Sequence, residues 1–558
     1  MSKLEDKKSP IDKGLSKRPD ESSHKSSPNA SGASFLIMVQ FLTKLLTFTL
    51  NQMLIRFISP TIFGISTYLE FLLSTVLFFS REGVRLSIQR TESKNGKEET
   101  LQSIVNFGWL PMIVGTPLAF AIFYWQYQTV LFQQTILNLS YYKLTMLLLA
   151  VLIVLEWVTE PIYAIYQYQL NFKLRSKFES LAIFNRCVAT FGVIMGAKYT
   201  ELFLESDGLA VLAFAVGQFS YSFTICVFYF WSFYSNFDKV SLFPSLIHGL
   251  SPYYFDPKVL VVWKSLFIQM IFKQFLTEGD KLLINYLCTV EEQGVYSVVA
   301  NYGSMVARLL FQPIEEYTRL LFTRLLVLDS DDNISNAYYY LQNLSVFYWN
   351  LVTLILLAGY TNASFLLRIM LGGSVSKWET TDIFQVFPQY VAYIPLLAFN
   401  GIFEAFFSSI ATSSDIKRFS YFMTFLSVVV LASLYVFIHS LKLGLSGLIL
   451  SNSINMLLRI AYCAIVIKNY FARFKIILTF TGVLNYLKSS IFVVSVFELI
   501  HYKFIFHSQT VFTTTFTQFL KSFIVCVVCA VGLLILERNR LKTPVISLTN
   551  RLLKRKHE

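Results

Sequence analysis

The chain has 558 residues, of which 54% are hydrophobic and only 15% charged, a balance too apolar for an ordinary soluble domain. Its 54 Phe and 31 Tyr suit lipid-facing surfaces and interfacial belts. The formal net charge of +13 is spread over short loops and tails between hydrophobic runs, which argues against nucleic-acid binding and for basic residues that fix membrane topology.

Residues 1–30 are polar and rich in Ser, Lys and Pro, with no apolar core before Phe35; they read as a disordered cytosolic tail without a cleavable signal peptide. Fourteen apolar stretches follow. A spanning helix needs roughly 20 apolar residues, with its backbone bonds satisfied internally. The stretches run approximately over 33–57, 60–80, 103–124, 142–163, 180–197 and 209–231, then 264–288, 293–314, 343–360, 384–408, 420–440, 444–467, 476–500 and 513–536. The expected fold is therefore all-α and polytopic. Its divisions are a bundle over 31–235, a cytosolic linker over 236–262, a second bundle over 263–470, two additional helices over 471–537 and a basic cytosolic tail over 538–558.

Basic residues alternate along the loops as an even number of spans requires. With a cytosolic N-terminus, inside loops carry Arg81, Arg85, Arg90, Lys94 and Lys97, then Lys173, Arg175 and Lys177, and later Lys468, Arg473 and Lys475. The opposite loops are sparse, so both termini are placed in the cytosol. Asn138 and Asn362 head Asn-x-Ser triplets in predicted non-cytosolic loops and are candidate glycosylation acceptors. The closing Lys554-Arg555-Lys556-His557-Glu558 resembles a dibasic retrieval signal for the endoplasmic reticulum. The six cysteines imply no disulfide framework; Cys526 and Cys529, spaced CxxC in FIVCVVCAVGLLIL, read as packing residues. The scattered histidines give no metal site, and no cofactor is expected.

The segment around the first two spans recurs about 230 residues later, with Gly64 falling against Gly294 and Ile65 against Val295. Six spans precede the second copy and six fill the second unit, leaving two at the end. An even number per repeat gives both halves the same orientation, an arrangement common among transporters with a substrate path between halves.

Ionisable residues inside such spans are costly, about 2.5–3.5 kcal/mol for Arg on insertion scales, and so belong in the bundle interior. Lys44 and Arg56 lie in the first span, and Arg81, Glu82 and Arg85 close the second. Glu156 and Glu160 lie in the fourth, one turn apart around Trp157, as counter-ions to Arg56, Lys44 and Arg459 or as markers of a wet helix end. Lys264, Lys273, Glu278, Asp280 and Lys281 crowd the seventh, with Glu278 and Lys281 spaced to pair. Arg308 sits deep in the eighth, before Gln312-Pro313-Ile314-Glu315-Glu316 and at the right spacing to meet Gln312; Glu404 and Arg459 lie in the tenth and twelfth. The plainer reading of Arg81, Arg85 and Arg319 is that they snorkel to phosphate head groups. Taken together, basic residues from both halves point to an anionic ligand between them. A lipid diphosphate suits this chemistry, because its head needs a charged, hydrated path while its tail stays in the bilayer.

At these charged motifs the chain resembles the Rft proteins, endoplasmic reticulum membrane proteins of lipid-linked oligosaccharide assembly. The resemblance is carried by LTKLLTFTLNQMLIRFISPTIFG (Leu42–Gly64), FFSREGVRLS (Phe78–Ser87) and GVYSVVANYGSMVARLLFQPIEEYTR (Gly294–Arg319), and runs from about residue 31 to the C-terminal tail. Span lengths and the Lys- and Ser-rich tail look fungal. The resemblance implies a fold of two six-helix bundles facing each other in a V, plus two helices, as in bacterial lipid-sugar flippases and multidrug extruders. It implies no enzymatic activity but a role in protein N-glycosylation, through translocation of, or assistance to translocation of, a dolichol diphosphate heptasaccharide of five mannoses and two N-acetylglucosamines to the lumenal leaflet. The family's basic positions match Arg56, Arg81, Arg85, Arg308 and Arg459, and its QPIEE motif matches Gln312, Pro313, Glu315 and Glu316. Implied partners are the dolichol-linked oligosaccharide, membrane lipids and enzymes of the same pathway. The competing readings are a factor that holds and presents this lipid without moving it, a small-molecule or cation antiporter, and a polytopic glycosyltransferase. The short loops supply no acidic or metal-binding catalytic site for the last, and the absence of GxxxxGK[ST] argues against direct ATP coupling.

Overall fold

The computed structural model describes residues 49–50, 52–89, 97–169, 171–199, 207–237, 239–247, 252–326, 331–373, 377–476, 488, 491–497, 499–505 and 512–536. Outside them lie the two terminal tails, Lys44 with most of the first predicted span, and much of 476–500. The described chain is helical, with one isolated β-bridge between Ile247 and Tyr253. Among the described residues, ten helices are long and apolar enough to cross a membrane. They match ten of the fourteen predicted spans. Two more predicted spans, 264–288 and 293–314, are helical without belonging to that ten: α1 (Pro257–Leu287) covers the first. The second is covered by α2 (Val290–Val306), a π-turn (Ala307–Phe311) and α3 (Gln312–Leu326).

Local chemistry sets the helix ends. The helix α4 (Pro60–Ile88) starts with Pro at its first position, where the missing N–H costs nothing, and Ser59 Oγ accepts from Ile62 N at 3.3 Å. At α2, Thr289 and Glu292 form a reciprocal capping box, with Thr289 N donating to the Glu292 carboxylate at 2.8 Å. The π-turn before α3 relieves the clash that Pro313 would make with the preceding turn of a regular helix.

These two helices carry the repeat seen in the sequence, and the fold brings the repeated glycines together. A Cβ on Gly64 would lie 1.9 Å from Val290 O, and one on Gly294 would lie 2.0 Å from Pro60 O. Each glycine thus meets the first residue of the other helix. Small residues allow this backbone approach, the usual means of helix association in a medium where apolar burial gives no drive.

Buried apolar side chains form separate clusters on either side of this crossing. Two are built from positions between Leu54 and Val259, with Val290 joining the first of them. A third is built from positions between Ile284 and Phe471, with Ile55 the exception. A small fourth cluster packs Phe497, Cys529 and Leu533 against Leu357. Among the described residues no disulfide forms, and Cys526 and Cys529 are buried in packing.

Substitution of Gly294 by Val should destabilise the purified protein by about 1–3 kcal/mol through overpacking. Gly192, where an added Cβ would have nothing within 4 Å, should accept Ala without loss. Thermal unfolding in detergent reads both; equal midpoints for the two variants would remove the crossing as a constraint.

Candidate functional site

The helix α5 (Tyr142–Tyr168) lies against α4 and resolves the question of its two glutamates. Arg81 Nη1 binds Glu156 and, at 3.5 Å, Glu160; Arg85 reaches Glu160 through both Nη2 and, at 3.1 Å, Nε. Glu156 and Glu160 are 7% and 4% exposed, so the four charges sum to zero inside the fold. Ser222 Oγ donates to Glu156 at 2.8 Å, and the Arg85 guanidinium stacks 3.9 Å from the Tyr163 ring centre. Arg81 and Arg85, placed by sequence among the ligand-facing cations, are engaged in this buried network. Glu82 lies half-buried on α4 beside them.

Other expected cations are also held. Arg459, on α6 (Gly444–Arg473), pairs with Glu404 on α7 (Ile383–Ile410), and Asn400 donates to the same carboxylate at 3.1 Å. Glu315 takes Arg319 at 2.9 Å, one turn along α3. Arg56 Nε donates to Met370 O at 2.8 Å and Nη2 to Ile369 O at 3.3 Å. It therefore caps the C-terminal carbonyls of a short helix, Thr361–Met370, where a cation is favoured. Gln52 also donates to Met370 O, at 2.9 Å, and accepts from Tyr302; buried Trp378 donates to Ile55 O at 3.1 Å.

Arg308 differs. It is exposed, lies in the π-turn, and donates from Nη2 to both the backbone and side-chain oxygens of Asn301 at 3.0 Å. The expected Arg308–Gln312 pairing does not form; the π-turn shifts the register between them. Among the described residues no carboxylate pairs with Arg308. Gln312, Pro313 and Glu316 lie on the following turns. The side chains of Lys273 and Glu278 lie outside the described residues.

Asn301 links Arg308 to a cavity of about 220 Å³. Its walls include Leu54, Ile55, Phe63, Leu69 and Phe214, and its polar groups include Glu70, Arg186, Gln218 and Asn301. Arg186 Nη1 bridges Glu70 at 3.3 Å and Gln218 at 3.2 Å. Glu70 and Arg186 stand outside the sequence-derived set, although each interrupts an apolar run as Arg308 does. Among the described residues no group of three or more His, Cys, Asp or Glu could hold a metal.

The glycosylation candidates separate. Asn362 is 3% exposed, donates to Ala358 O at 2.8 Å and Ser522 Oγ at 2.9 Å, and accepts from Thr513. A folded protein has no room for a glycan on Asn362. Asn138 makes one local bond, donating to Gln134 O at 2.7 Å, and lies at the surface.

The fold is that of polytopic exporters. It is similar to a structure described as lipid II flippase MurJ, inward closed conformation, with TM-score 0.58 and 13% identity over 90% of this chain and 99% of that one. It is also similar to an inward-facing multidrug resistance MATE family transporter of the MOP superfamily, with TM-score 0.53 and 12% identity over 75% and 94% of the two chains. Within this class the sequence is more specific: the Rft protein profile matches residues 28–546, and the chain belongs to that family. It is 42% identical to the Man(5)GlcNAc(2)-PP-dolichol translocation protein RFT1 of Candida albicans, over 97% of this chain and 99% of the relative. The protein of the same name from Saccharomyces cerevisiae is 40% identical over 79% of this chain and 83% of its own.

Glu160→Ala should cost about 3–5 kcal/mol by leaving Arg85 buried without its partner. The double variant Arg85→Met, Glu160→Leu should recover most of that loss. A thermal-unfolding double-mutant cycle measures the coupling; independent, additive losses would dismiss the network.

Proposed function

We propose that the chain translocates a dolichol diphosphate heptasaccharide, of five mannoses and two N-acetylglucosamines, from the cytosolic to the lumenal leaflet of the endoplasmic reticulum for protein N-glycosylation. The observation that carries this reading is the near full-length similarity to the Candida albicans translocation protein. The relatives are named as translocation proteins and the structural neighbours as flippase and transporter, which supports a noncatalytic role.

In this reading fourteen spans form two six-helix bundles in a V, with two further helices and both termini in the cytosol. The separate apolar clusters on either side of the Gly64–Gly294 crossing support two bundles. The linker over 236–262 joins them; it is strapped to the first by Asn106, which donates to Ser245 O at 2.7 Å and Tyr254 O at 2.9 Å. The diphosphate is assigned to Arg308, whose planar fork matches phosphate oxygens and whose charge no described carboxylate cancels. Arg81, Arg85 and Arg459 are assigned to bundle integrity, and Arg56 to closure of one end of the path.

The test is reconstitution of the purified protein alone, with transbilayer movement of the heptasaccharide lipid as readout. Arg308→Ala should slow transfer about tenfold or more, the effect of losing a charge-assisted contact of about 1.5–3 kcal/mol. Full binding occupancy without transfer by the wild type would replace translocation with presentation. Orientation has its own check. In microsomes, any glycosidase-sensitive mobility shift should vanish in Asn138→Gln and persist in Asn362→Gln; the reverse pattern would contradict the burial of Asn362.

A further inference from the structure

The cavity beside Arg308 has a chemistry that the diphosphate does not use. Arg186 and Glu70 form a neutral pair, so the cavity offers an anion no net attraction. It offers instead alternating donors and acceptors. Arg186 Nη1 is committed to Glu70 Oε1 and Gln218 Oε1. Among the described residues, Glu70 Oε2 and Gln218 Nε2 make no hydrogen bond. Glu70 and Gln218, held by one guanidinium nitrogen, thus bring a carboxylate oxygen that accepts and an amide that donates to the lining of one cavity, complementary to a vicinal diol or to a hydroxyl beside an acetamide.

The remaining wall is apolar. Phe63 and Phe214 meet edge to face with ring centres 6.4 Å apart and, with Leu69, give the cavity a non-polar surface beside the polar one. A pyranose has this same division between its C–H face and its hydroxyl rim. The cavity of about 220 Å³ falls below the ~300–1,000 Å³ that drug-sized ligands occupy, and so matches one sugar residue and not a whole head group.

Position completes the argument. Asn301 lines this cavity and accepts from Arg308, so a group held in the cavity lies one side chain away from a group held by the cation. We propose that the cavity bounded by Glu70, Arg186, Gln218 and Asn301 is a subsite for one neutral sugar residue of the glycolipid head group, adjoining the diphosphate position at Arg308. This rests on the reading of a dolichol diphosphate oligosaccharide as cargo and divides its head between two sites. The cation gives affinity for any diphosphate lipid, and the neutral cavity distinguishes a glycosylated lipid from a bare one.

The experiment measures binding of three probes to the full chain in nanodiscs: dolichol diphosphate, the same lipid carrying two N-acetylglucosamines, and the heptasaccharide lipid. The wild type should bind the sugar-bearing probes about tenfold more tightly than the bare lipid, as sites built on hydrogen bonds to a ligand's polar groups discriminate. Gln218→Leu should bring that ratio toward one while leaving affinity for bare dolichol diphosphate within about twofold, which also shows that the variant is folded, whereas Glu70→Gln, which leaves Arg186 without its carboxylate, should tighten binding of the bare lipid and so lower the ratio. Arg308→Ala should weaken all three alike. A sugar preference intact in both cavity variants would overturn the subsite and leave the cargo reading standing. Failure of the wild type to bind any of the three would instead overturn the cargo reading.

Discussion

The backbone approach between the repeated helices organises the rest of the molecule. At Gly64 and Gly294 each helix lays a carbonyl of its first turn on the other's Cα, a distance that no side chain would permit. Because the contact is made by the same position of both repeats, it relates them by a local two-fold arrangement. From this point α4 runs toward its arginines and α2–α3 toward Arg308. The cavity lies beside the crossing, with Leu54, Ile55 and Phe63 from one side and Asn301 from the other. Where helices must touch at backbone distance, polar groups nearby can also reach backbone carbonyls. Gln52, Arg56 and Trp378 do so, joining the segment 52–56 to the segment 369–378.

Electrostatics separates arginines paired with a carboxylate on another helix from Arg308, which among the described residues takes only neutral oxygens. A buried pair is held firmly because removing either partner strands the other in a poor solvent for charge. Arg81, Arg85 and Arg459 each have a carboxylate on another helix, and those helices are thereby fixed relative to one another. Arg186 is also matched, but on the wall of a cavity where its partner carboxylate is 60% exposed. Arg308 takes only neutral oxygens from Asn301.

The part legible in the sequence was the part governed by local chemistry. Apolar runs locate the helices, and Ser59-Pro60 and Thr289 with Glu292 set where two of them begin. The matched glycines also announced a repeat, though not that the two would touch. Charge alone could not say which cation would find which anion, because Arg81 and Glu156 are 75 residues apart and Arg186 and Glu70 are 116 apart. The π-turn at Ala307–Phe311 likewise broke the expected Arg308–Gln312 spacing. Glu70 and Arg186 were readable by the rule that flags Arg308, that a charge inside a spanning helix needs a reason. Asn362 shows the converse: its triplet is a surface motif by sequence, but its amide is consumed by packing against the last helix.

These strengths bear on how an alternating carrier could move. Breaking an ion pair within one proposed bundle would strand charges at several kilocalories per mole, so Arg81 with Glu156, Arg85 with Glu160 and Arg459 with Glu404 travel with their bundles. Gln52 reaches Met370 O by a neutral hydrogen bond worth about 0.5–1.5 kcal/mol net, and exposed Arg56 reaches Met370 O and Ile369 O by charge-assisted bonds worth about 1.5–3 kcal/mol, all of them bonds that water can replace. The glycine crossing adds close packing but no buried charge. In the proposed two-bundle reading, rotation of one bundle against the other would release these carbonyl contacts to water without stranding a buried charge. On that proposed reading the cavity and Arg308 adjoin the same end, so parting these contacts would also change which side of the membrane a head group held there can reach.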